Sequence, residues 1–460
     1  MSNWKGQRIL IIGAARQGQA LARYLAGQQA VVTLNDQRSD EQLQSARQNL
    51  AGLDIRWVTG GHPLDLLDDV DLVCLSGGVP LNLPIVVEAQ RRCIPLSNDS
   101  QVFMEAVPCP VIGITGSAGK TTTTTLVGRM AADHVRLPRR VWVGGNIGTP
   151  LVDHLYEMQP DDLVVLELSS FQLELMTRVP RIGAVLNITP NHLDRHGTFE
   201  AYAAAKARLI SYQQPGCTAV LNRDEPNSFS LSAQSPGRVI TFGRSRPPAG
   251  QPGTFMEDGR LLLDDGSQVI DLIDPAEILL RGEHNKLNIL AACAIAFAAG
   301  IPVESMRAGV AGFKGVPHRL EFIRKWNGAS WYNDSIATAP ERTMAAIHAF
   351  DEPMVLLLGG RDKNLPWDDL VNLIHRRVDH VVAFGEAGPM IARLIGSASP
   401  HRRPFTLEVT PDLESATRAA ASVASEGDVV LLSPGGTSYD EFQDFEQRGE
   451  RFRQWVNLLA

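Results

Sequence analysis

Val111-Ile112-Gly113-Ile114-Thr115-Gly116-Ser117-Ala118-Gly119-Lys120-Thr121 decides how this chain is read. An apolar, β-branched run enters a Gly/Ser turn and leaves into residues with helical spacing, so the order is strand, turn, helix. Glycines let the backbone fold tightly and aim several N–H groups at one point, and the helix that follows adds its positive end. Such a cradle suits phosphate oxygens. Lys120 can reach terminal phosphates, and the Thr121 hydroxyl can ligate Mg²⁺. The spacing is not the strict G-x-x-x-x-G-K-[ST] form but the shorter T-G-x-x-G-K-[ST]. A solvated turn with a surface lysine is the competing explanation, and the strand before it and helix after it weigh against that. Threonines 121–125 are poor helix formers, so the first of them are expected to bond ligand or backbone.

Outward from this loop, strands are expected at 163–168, 182–188 and 217–221. Polar residues stand at or just past their ends, and in an open parallel sheet that edge is where ligands bind. Glu167 can bind a metal beside phosphates. Asn146 is a loop amide between glycines, His192 lies just past a strand, and Lys206 follows on an alanine-rich helix. Singly, each also reads as a surface residue; beside a phosphate loop they become candidates for phosphoryl transfer, which needs cations on developing charge. Residues 236–266, rich in Gly and Pro, suggest an antiparallel excursion. A long helix over 285–299 stops at Gly300-Ile301-Pro302.

The first hundred residues alternate strands (8–12, 30–34, 70–75) with a helix over 20–27, and so predict a parallel sheet. Gly13-Ala14-Ala15-Arg16-Gln17-Gly18 resembles G-x-G-x-x-G with its middle glycine replaced, and Asp36 ends the second strand, where an acid can bond a ribose. Alone this suggests a dehydrogenase. Ala15 carries a Cβ where close pyrophosphate approach wants none, and a second phosphate loop fits a dehydrogenase poorly. This region is therefore read as holding the nucleotide part of a substrate. The last third restarts the alternation, with strands at 329–333, 354–358, 380–384 and 428–432. The fold class is α/β with three domains, 1–107, 108–315 and 316–460.

The chain has 460 residues, 44% apolar and 20% charged, with 51 acidic against 43 basic side chains and a net charge of -8. That balance argues against a general nucleic-acid binder but not against anionic small molecules. Five cysteines without C-x-x-C spacing argue against a disulfide framework or zinc ribbon and for a reducing compartment. The N-terminus lacks a signal peptide's apolar region, and the most apolar helical segment, 287–301, is too short to span a bilayer. A cytoplasmic protein with no membrane partner is expected.

With these motifs in order along the whole length, the chain resembles the ATP-dependent Mur ligases of peptidoglycan synthesis. The resemblance rests on the phosphate loop, Gly144-Gly145-Asn146-Ile147-Gly148, Leu166-Glu167-Leu168-Ser169-Ser170-Phe171-Gln172-Leu173-Glu174 and Asn191-His192-Leu193-Asp194-Arg195. It continues through Gly282-Glu283-His284-Asn285, Pro317-His318-Arg319, Asn333-Asp334-Ser335, Leu432-Ser433-Pro434 and Asp444-Phe445-Glu446-Gln447-Arg448-Gly449. It implies a Rossmann-like UDP-binding domain, a central ATPase domain with a mostly parallel sheet, and a Rossmann-like C-terminal domain. It further implies ATP-driven addition of D-glutamate to UDP-N-acetylmuramoyl-L-alanine through an acyl phosphate, by a monomer acting on small molecules. By the family pattern Ala14, Ala15, Arg16, Gln17, Asp36 and Arg38 hold the uridine diphosphate. Gly116, Ser117, Ala118, Gly119, Lys120, Thr121, Thr122, Asn285, Asn288, Arg319 and Asp334 hold ATP. Thr121 and Glu167 serve one Mg²⁺, and His192 with a carbamylated Lys206 serves a second. Lys120, Asn146, Glu167, His192 and Lys206 form the catalytic set, and Thr338, Lys363, Ser438 and Phe445 hold the glutamate.

One segment departs from the family. D-S-K-A-T-N stands here as Asp334-Ser335-Ile336-Ala337-Thr338-Ala339, without its lysine and asparagine, and is followed by Pro340-Glu341-Arg342. Arg342 can supply the missing charge, or Ile336 and Ala339 simply pack. An L-glutamate-adding relative, a ligase with another acceptor, and a non-catalytic nucleotide-sugar binder are the alternatives; a dehydrogenase comes last.

Overall fold

A computed structural model of the chain describes residues 3–136, 138–191, 193–280, 282–363 and 365–459. Its strands form three sheets. The first holds β1 (Arg8–Ile12), β2 (Val31–Asp36), β3 (Ile55–Thr59), β4 (Leu72–Leu75) and β5 (Leu96–Asn98), all parallel, in the order β3-β2-β1-β4-β5. The chain runs from β1 outward to β3, then returns to β4 on the other side. The β1/β4 boundary is thus a switch point where a crevice opens at the carboxyl ends.

The second sheet holds β6 (Val111–Thr115), β7 (Val141–Gly145), β8 (Leu163–Glu167), β9 (Ile182–Val185), β10 (Thr218–Asn222), β11 (Arg238–Phe242), β12 (Gly253–Glu257), β13 (Arg260–Asp264) and β14 (Val269–Ile273). Its order is β14-β13-β12-β11-β10-β9-β6-β8-β7, so β6 lies at the second switch point. Every residue of β6 is buried, as a strand covered by helices on both faces requires. Gly113 is needed there, because a Cβ would stand 2.7 Å from the Pro180 ring. The helix Glu283–Ala298 is apolar around its circumference and buried from Ile289 through Ala296. It packs between the helix Lys120–His134 and strands β10–β12.

The third sheet holds β15 (Glu321–Trp326), β16 (Ala329–Asn333), β17 (Met354–Gly359), β18 (His380–Phe384), β19 (Thr406–Thr410) and β20 (Val429–Gly435), in the order β15-β16-β20-β17-β18-β19. Only β15 is antiparallel. Met354, Leu356 and Leu358 enter the core on one face of this sheet, and Val355 and Leu357 the core on the other. That is the period-2 signature of a strand buried on both sides; each such side chain stabilises by roughly 1.5–3 kcal/mol. The chain divides into two compact units: the first two sheets lie in Met1–Ile278 with Glu283–Gly312, and the third in Leu279–Gly282 with Phe313–Ala460.

The expected antiparallel excursion over 236–266 is half corrected. Strands β11 and β12 continue the parallel sheet, and only β12–β13 and β13–β14 pair antiparallel. Gly253 lets β12 lie against β11, since a Cβ would meet the Thr241 carbonyl oxygen at 2.4 Å. The first helix begins at Arg16 rather than Ala20, and strands β3, β5, β7, β14, β15 and β19 were not anticipated.

Candidate active site

The phosphate loop leaves β6 and is shaped by the segment after β9. Ser117 N–H donates to Asn187 O (2.9 Å), and Ala118 N–H to Asn187 Oδ1 (2.8 Å), while Asn187 Nδ2 donates back to Ala118 O (3.1 Å). Ser117 Oγ donates to Thr189 O and meets Tyr202 OH at 2.8 Å. Gly119 has φ +81° and directly precedes the helix Lys120–His134. A Cβ there would lie 2.3 Å from Asn288 Oδ1, so only glycine fits beside the helix Glu283–Ala298. Asn288 in turn donates to Asn285 Oδ1 (3.1 Å), which brings both expected ATP residues to the loop. Lys120 folds over the loop and donates to Gly116 O at 2.7 Å. Of the threonine run, Thr125 Oγ1 donates to Thr121 O, whereas the buried Thr123 and Thr124 hydroxyls have no partner among the described residues.

Beside the loop lie Glu167, Asn146 and Lys206. Glu167, at the end of β8, is 1% exposed. Asn146 Nδ2 donates to its Oε1 (3.2 Å), and its Oε2 has no partner among the described residues. A buried carboxylate oxygen without a donor fits a cation, and Mg²⁺ usually takes one or two carboxylates plus phosphate oxygens. Gly145 permits this arrangement, because a Cβ would strike Glu167 O at 2.3 Å. Lys206 is 1% exposed and donates to Gly116 O (3.0 Å) and Thr115 Oγ1 (3.3 Å). Burial, with the Lys120 charge next, pushes its ammonium well below the ordinary lysine range, while Glu167 opposes the shift. Lys120, Glu167 and Lys206 therefore form one electrostatic group. His192, expected as a metal ligand, lies outside the described residues.

At the edge of the first sheet, Asp36 is saturated. Its Oδ2 accepts from Ala14 N–H (2.8 Å) and Arg38 Nη2 (2.8 Å), and its Oδ1 from Arg38 N–H (2.9 Å) and Arg38 Nε (2.9 Å). Burial alone would raise this carboxyl, but the donors from Arg38 and Ala14 outweigh it and hold it down at about 2. Asp36 thus fixes the Ala14 turn and presents the Arg38 guanidinium. Gly18 closes the turn, since a Cβ would be 1.8 Å from Gly13 O. Asn35 Nδ2 donates to Val58 O and Gly61 O, and its Oδ1 meets His62 Nδ1 at 2.5 Å. A cavity of about 340 Å³ opens between the first two sheets, lined among others by Ser76, Gly77, Asn82, Phe171, Arg195 and His196. Arg195 Nη1 donates to Gly78 O, and its guanidinium lies 4.7 Å from the Phe171 ring centre. His196 stacks on Phe171 and meets Ser170 Oγ at 2.9 Å. Asn187, Tyr202, Arg195 and His196 were given no role from sequence; their positions just past β9 and on the next helices were the available signal.

The second unit gathers its candidates at the carboxyl edge of β16, β20 and β17. Asp334 accepts from Ser433 Oγ (2.9 Å) and Leu320 N–H (3.2 Å). Burial pushes its carboxyl up to about 7 against these donors and the charges of Arg319 and Arg342. Lys363 Nζ donates to Thr338 Oγ1 (3.4 Å), and Ser335 Oγ donates to Phe445 O (2.8 Å). Ser438 is buried, its carbonyl accepting from Phe442 N–H.

A strand, a glycine turn and a lysine-headed helix at a sheet's switch point, with a buried unpaired carboxylate beside them, define a nucleoside-triphosphate-binding protein. Comparison with known proteins narrows the class. Residues 7–97 match the N-terminal domain of MurD-like Mur ligases, residues 114–296 the Mur ligase middle domain, and residues 318–436 the Mur ligase glutamate ligase domain. A UDP-N-acetylmuramoylalanine–D-glutamate ligase of Symbiobacterium thermophilum is 38% identical over 99% of this chain and 98% of its own length. The ligase of that name from Anaeromyxobacter dehalogenans is 39% identical over 99% and 98%. Among solved structures, UDP-N-acetylmuramate-alanine ligase MurC from Thermotoga maritima shares the fold at TM-score 0.58 and 19% identity, covering 98% of this chain and 99% of that one. The chain belongs to the Mur ligase family, enzymes that use ATP and Mg²⁺ to form a C–N bond.

Proposed function

We propose that this chain adds D-glutamate to UDP-N-acetylmuramoyl-L-alanine, releasing ADP and phosphate, as a step in building the peptidoglycan precursor. The observation that carries the reading is the grouping of Lys120, Glu167 and Lys206 at the phosphate loop of a chain 34–39% identical, over nearly its whole length, to ligases named for that reaction. Residues 1–107 take the UDP-sugar, 108–315 the ATP and 316–460 the amino acid.

Arg38, held by Asp36, and the turn Ala14–Ala15–Arg16–Gln17 hold the uridine diphosphate. The cavity lined by Ser76, Asn82 and Arg195 takes the muramyl group. The substrate's alanyl carboxylate attacks the γ-phosphate of ATP and forms an acyl phosphate with loss of ADP. Lys120 and the loop N–H groups of Gly119 and Thr121 draw off charge as the γ-phosphoryl group transfers. Thr121 and Glu167 Oε2 would hold Mg²⁺, which would supply neutralisation of phosphate charge. Lys206, whose burial favours the free amine, is the group that takes up CO₂; as a carbamate it serves a second ion with His192. Asn146 keeps the Glu167 carboxylate in place. The amine of glutamate, seated by Thr338, Lys363, Ser438 and Phe445, then attacks the acyl carbonyl and expels phosphate. The enzyme works in the cytoplasm as a monomer, without nucleic-acid or membrane partners.

The test is a product assay with UDP-N-acetylmuramoyl-L-alanine, ATP and either D- or L-glutamate, scored by mass and by the chirality of the released glutamate. D-Glutamyl product is expected. Exclusive L-glutamyl product would move the reading to the alternative that Ile336 and Ala339 suggest. Absence of glutamate-dependent ADP release would refute the ligase.

A further inference from the structure

Three cations hang on one four-residue turn, Ser335-Ile336-Ala337-Thr338, at the carboxyl edge of β16. Arg448 donates from Nη2 to Ser335 O (2.9 Å) and Gly436 O (3.2 Å), and from Nε to Ser335 Oγ (3.0 Å). Arg342 Nη1 donates to Ile336 O at 3.3 Å, and Lys363 Nζ to Thr338 Oγ1 at 3.4 Å. Arg448 is fully buried, and its Nη1 has no hydrogen-bond partner among the described residues. The floor around it is cut close: a Cβ on Gly360 would lie 2.8 Å from that Nη1. The charges acting on Lys363 are those of Arg342 and Arg448, both repulsive.

Asp440 and Glu441 favour the Arg448 charge from a distance, but the hydrogen bonds of the neighbouring acids go to other groups. Asp334 is held by Ser433 and Leu320, Glu441 accepts from Leu413 N–H, and Asp440 from Glu386 N–H. Burying a guanidinium under two more cations is costly unless an anion completes the group. Two exposed cations on either side of one turn, over a fixed buried charge, match a molecule bearing two carboxylates.

We propose that Arg342 is a further substrate-binding residue that pairs with the distal carboxylate of the incoming amino acid and so selects a dicarboxylic acid. Lys363 takes the other carboxylate, and Arg448 is a positioning residue that holds the Ser335–Thr338 turn and its positive potential. This inference rests on the ligase reading above.

The test uses the full chain in a phosphate-release assay with D-glutamate varied at saturating ATP and UDP-sugar. Loss of one charge-assisted pair predicts that Arg342→Ala raises KM for D-glutamate by about 10- to 100-fold. KM for ATP and the thermal midpoint stay unchanged, because Arg342 is exposed and its hydrogen bond is to Ile336 O of the neighbouring turn. Arg342→Lys recovers part of the loss. Preference for D-glutamate over D-glutamine, read as KM against the inhibition constant, falls by a similar factor in Arg342→Ala. An unchanged KM for D-glutamate, or equal weakening toward D-glutamate and D-glutamine, overturns the proposal. A wild-type enzyme without D-glutamate-dependent phosphate release refutes the ligase reading and takes this inference with it; that failure is recognised by its presence before any substitution is made.

Discussion

Replacing Gly119 with alanine is expected to cost about 2–3 kcal/mol of stability, from two separable sources. The left-handed backbone at φ +81° disfavours any residue with a Cβ by roughly 1–2 kcal/mol. The new Cβ would also stand 2.3 Å from Asn288 Oδ1 and 3.3 Å from its Cγ. Asn288 must then swing away and give up its hydrogen bond to Asn285, a loss of about 1 kcal/mol. A double-mutant cycle separates the two. In an Asn288→Ala background the steric part is already gone, so Gly119→Ala should cost only the backbone part, leaving a coupling of about 1 kcal/mol. Urea denaturation of the nucleotide-free chain measures the stabilities, and ATP binding by calorimetry measures the damage to the loop. A cost below about 0.5 kcal/mol, or strict additivity in the cycle, would mean that the loop does not press against the helix Glu283–Ala298, and the assignment of Asn288 to the nucleotide site would fall.

Lys206→Ala should abolish glutamate-coupled phosphate release while leaving UDP-substrate binding intact, and added short carboxylates such as acetate should restore part of the rate; full activity without them would contradict a metal-bridging role. Asp36 is held at about 2, below its unfolded value near 4, so its contribution is present above pH 4 and fades as the pH falls toward 2. Asp36→Asn should therefore flatten the acid limb of the stability profile by roughly 2 kcal/mol. It should also raise KM for the UDP-substrate about tenfold as Arg38 loses its anchor, and an unaltered acid limb would show that the pair is not formed.

What the sequence disclosed and what it hid follow from how local each signal is. Strand β6, the glycine turn and Lys120 were legible because strand, turn and helix follow one another directly along the chain. Strand β15, Glu-Phe-Ile-Arg-Lys-Trp, was not, since an antiparallel edge strand that is only half buried keeps its charges and imitates a loop. Strand β3, a parallel edge strand, hid because Arg56 is exposed and no residue in it is fully buried. Lys206 stood out only as a lysine among alanines; its burial comes from Tyr202 and the loop at Thr115–Gly116, the latter 90 residues and more away along the chain. The pairing of Asp36 with Arg38 was within reach, two positions apart, but the remaining donor, the Ala14 amide, is supplied by the fold.

The bonds between Asn187 and the phosphate loop have a consequence for how a nucleotide is gripped. Ser117 and Ala118 have already spent their amides on a neighbouring segment, so only the later half of the loop and the opening turn of the helix have hydrogens to offer a triphosphate. The cradle is thus one-sided and rigid before any guest arrives. Loosening it at Asn187 would weaken every nucleotide to a like degree, without regard to base.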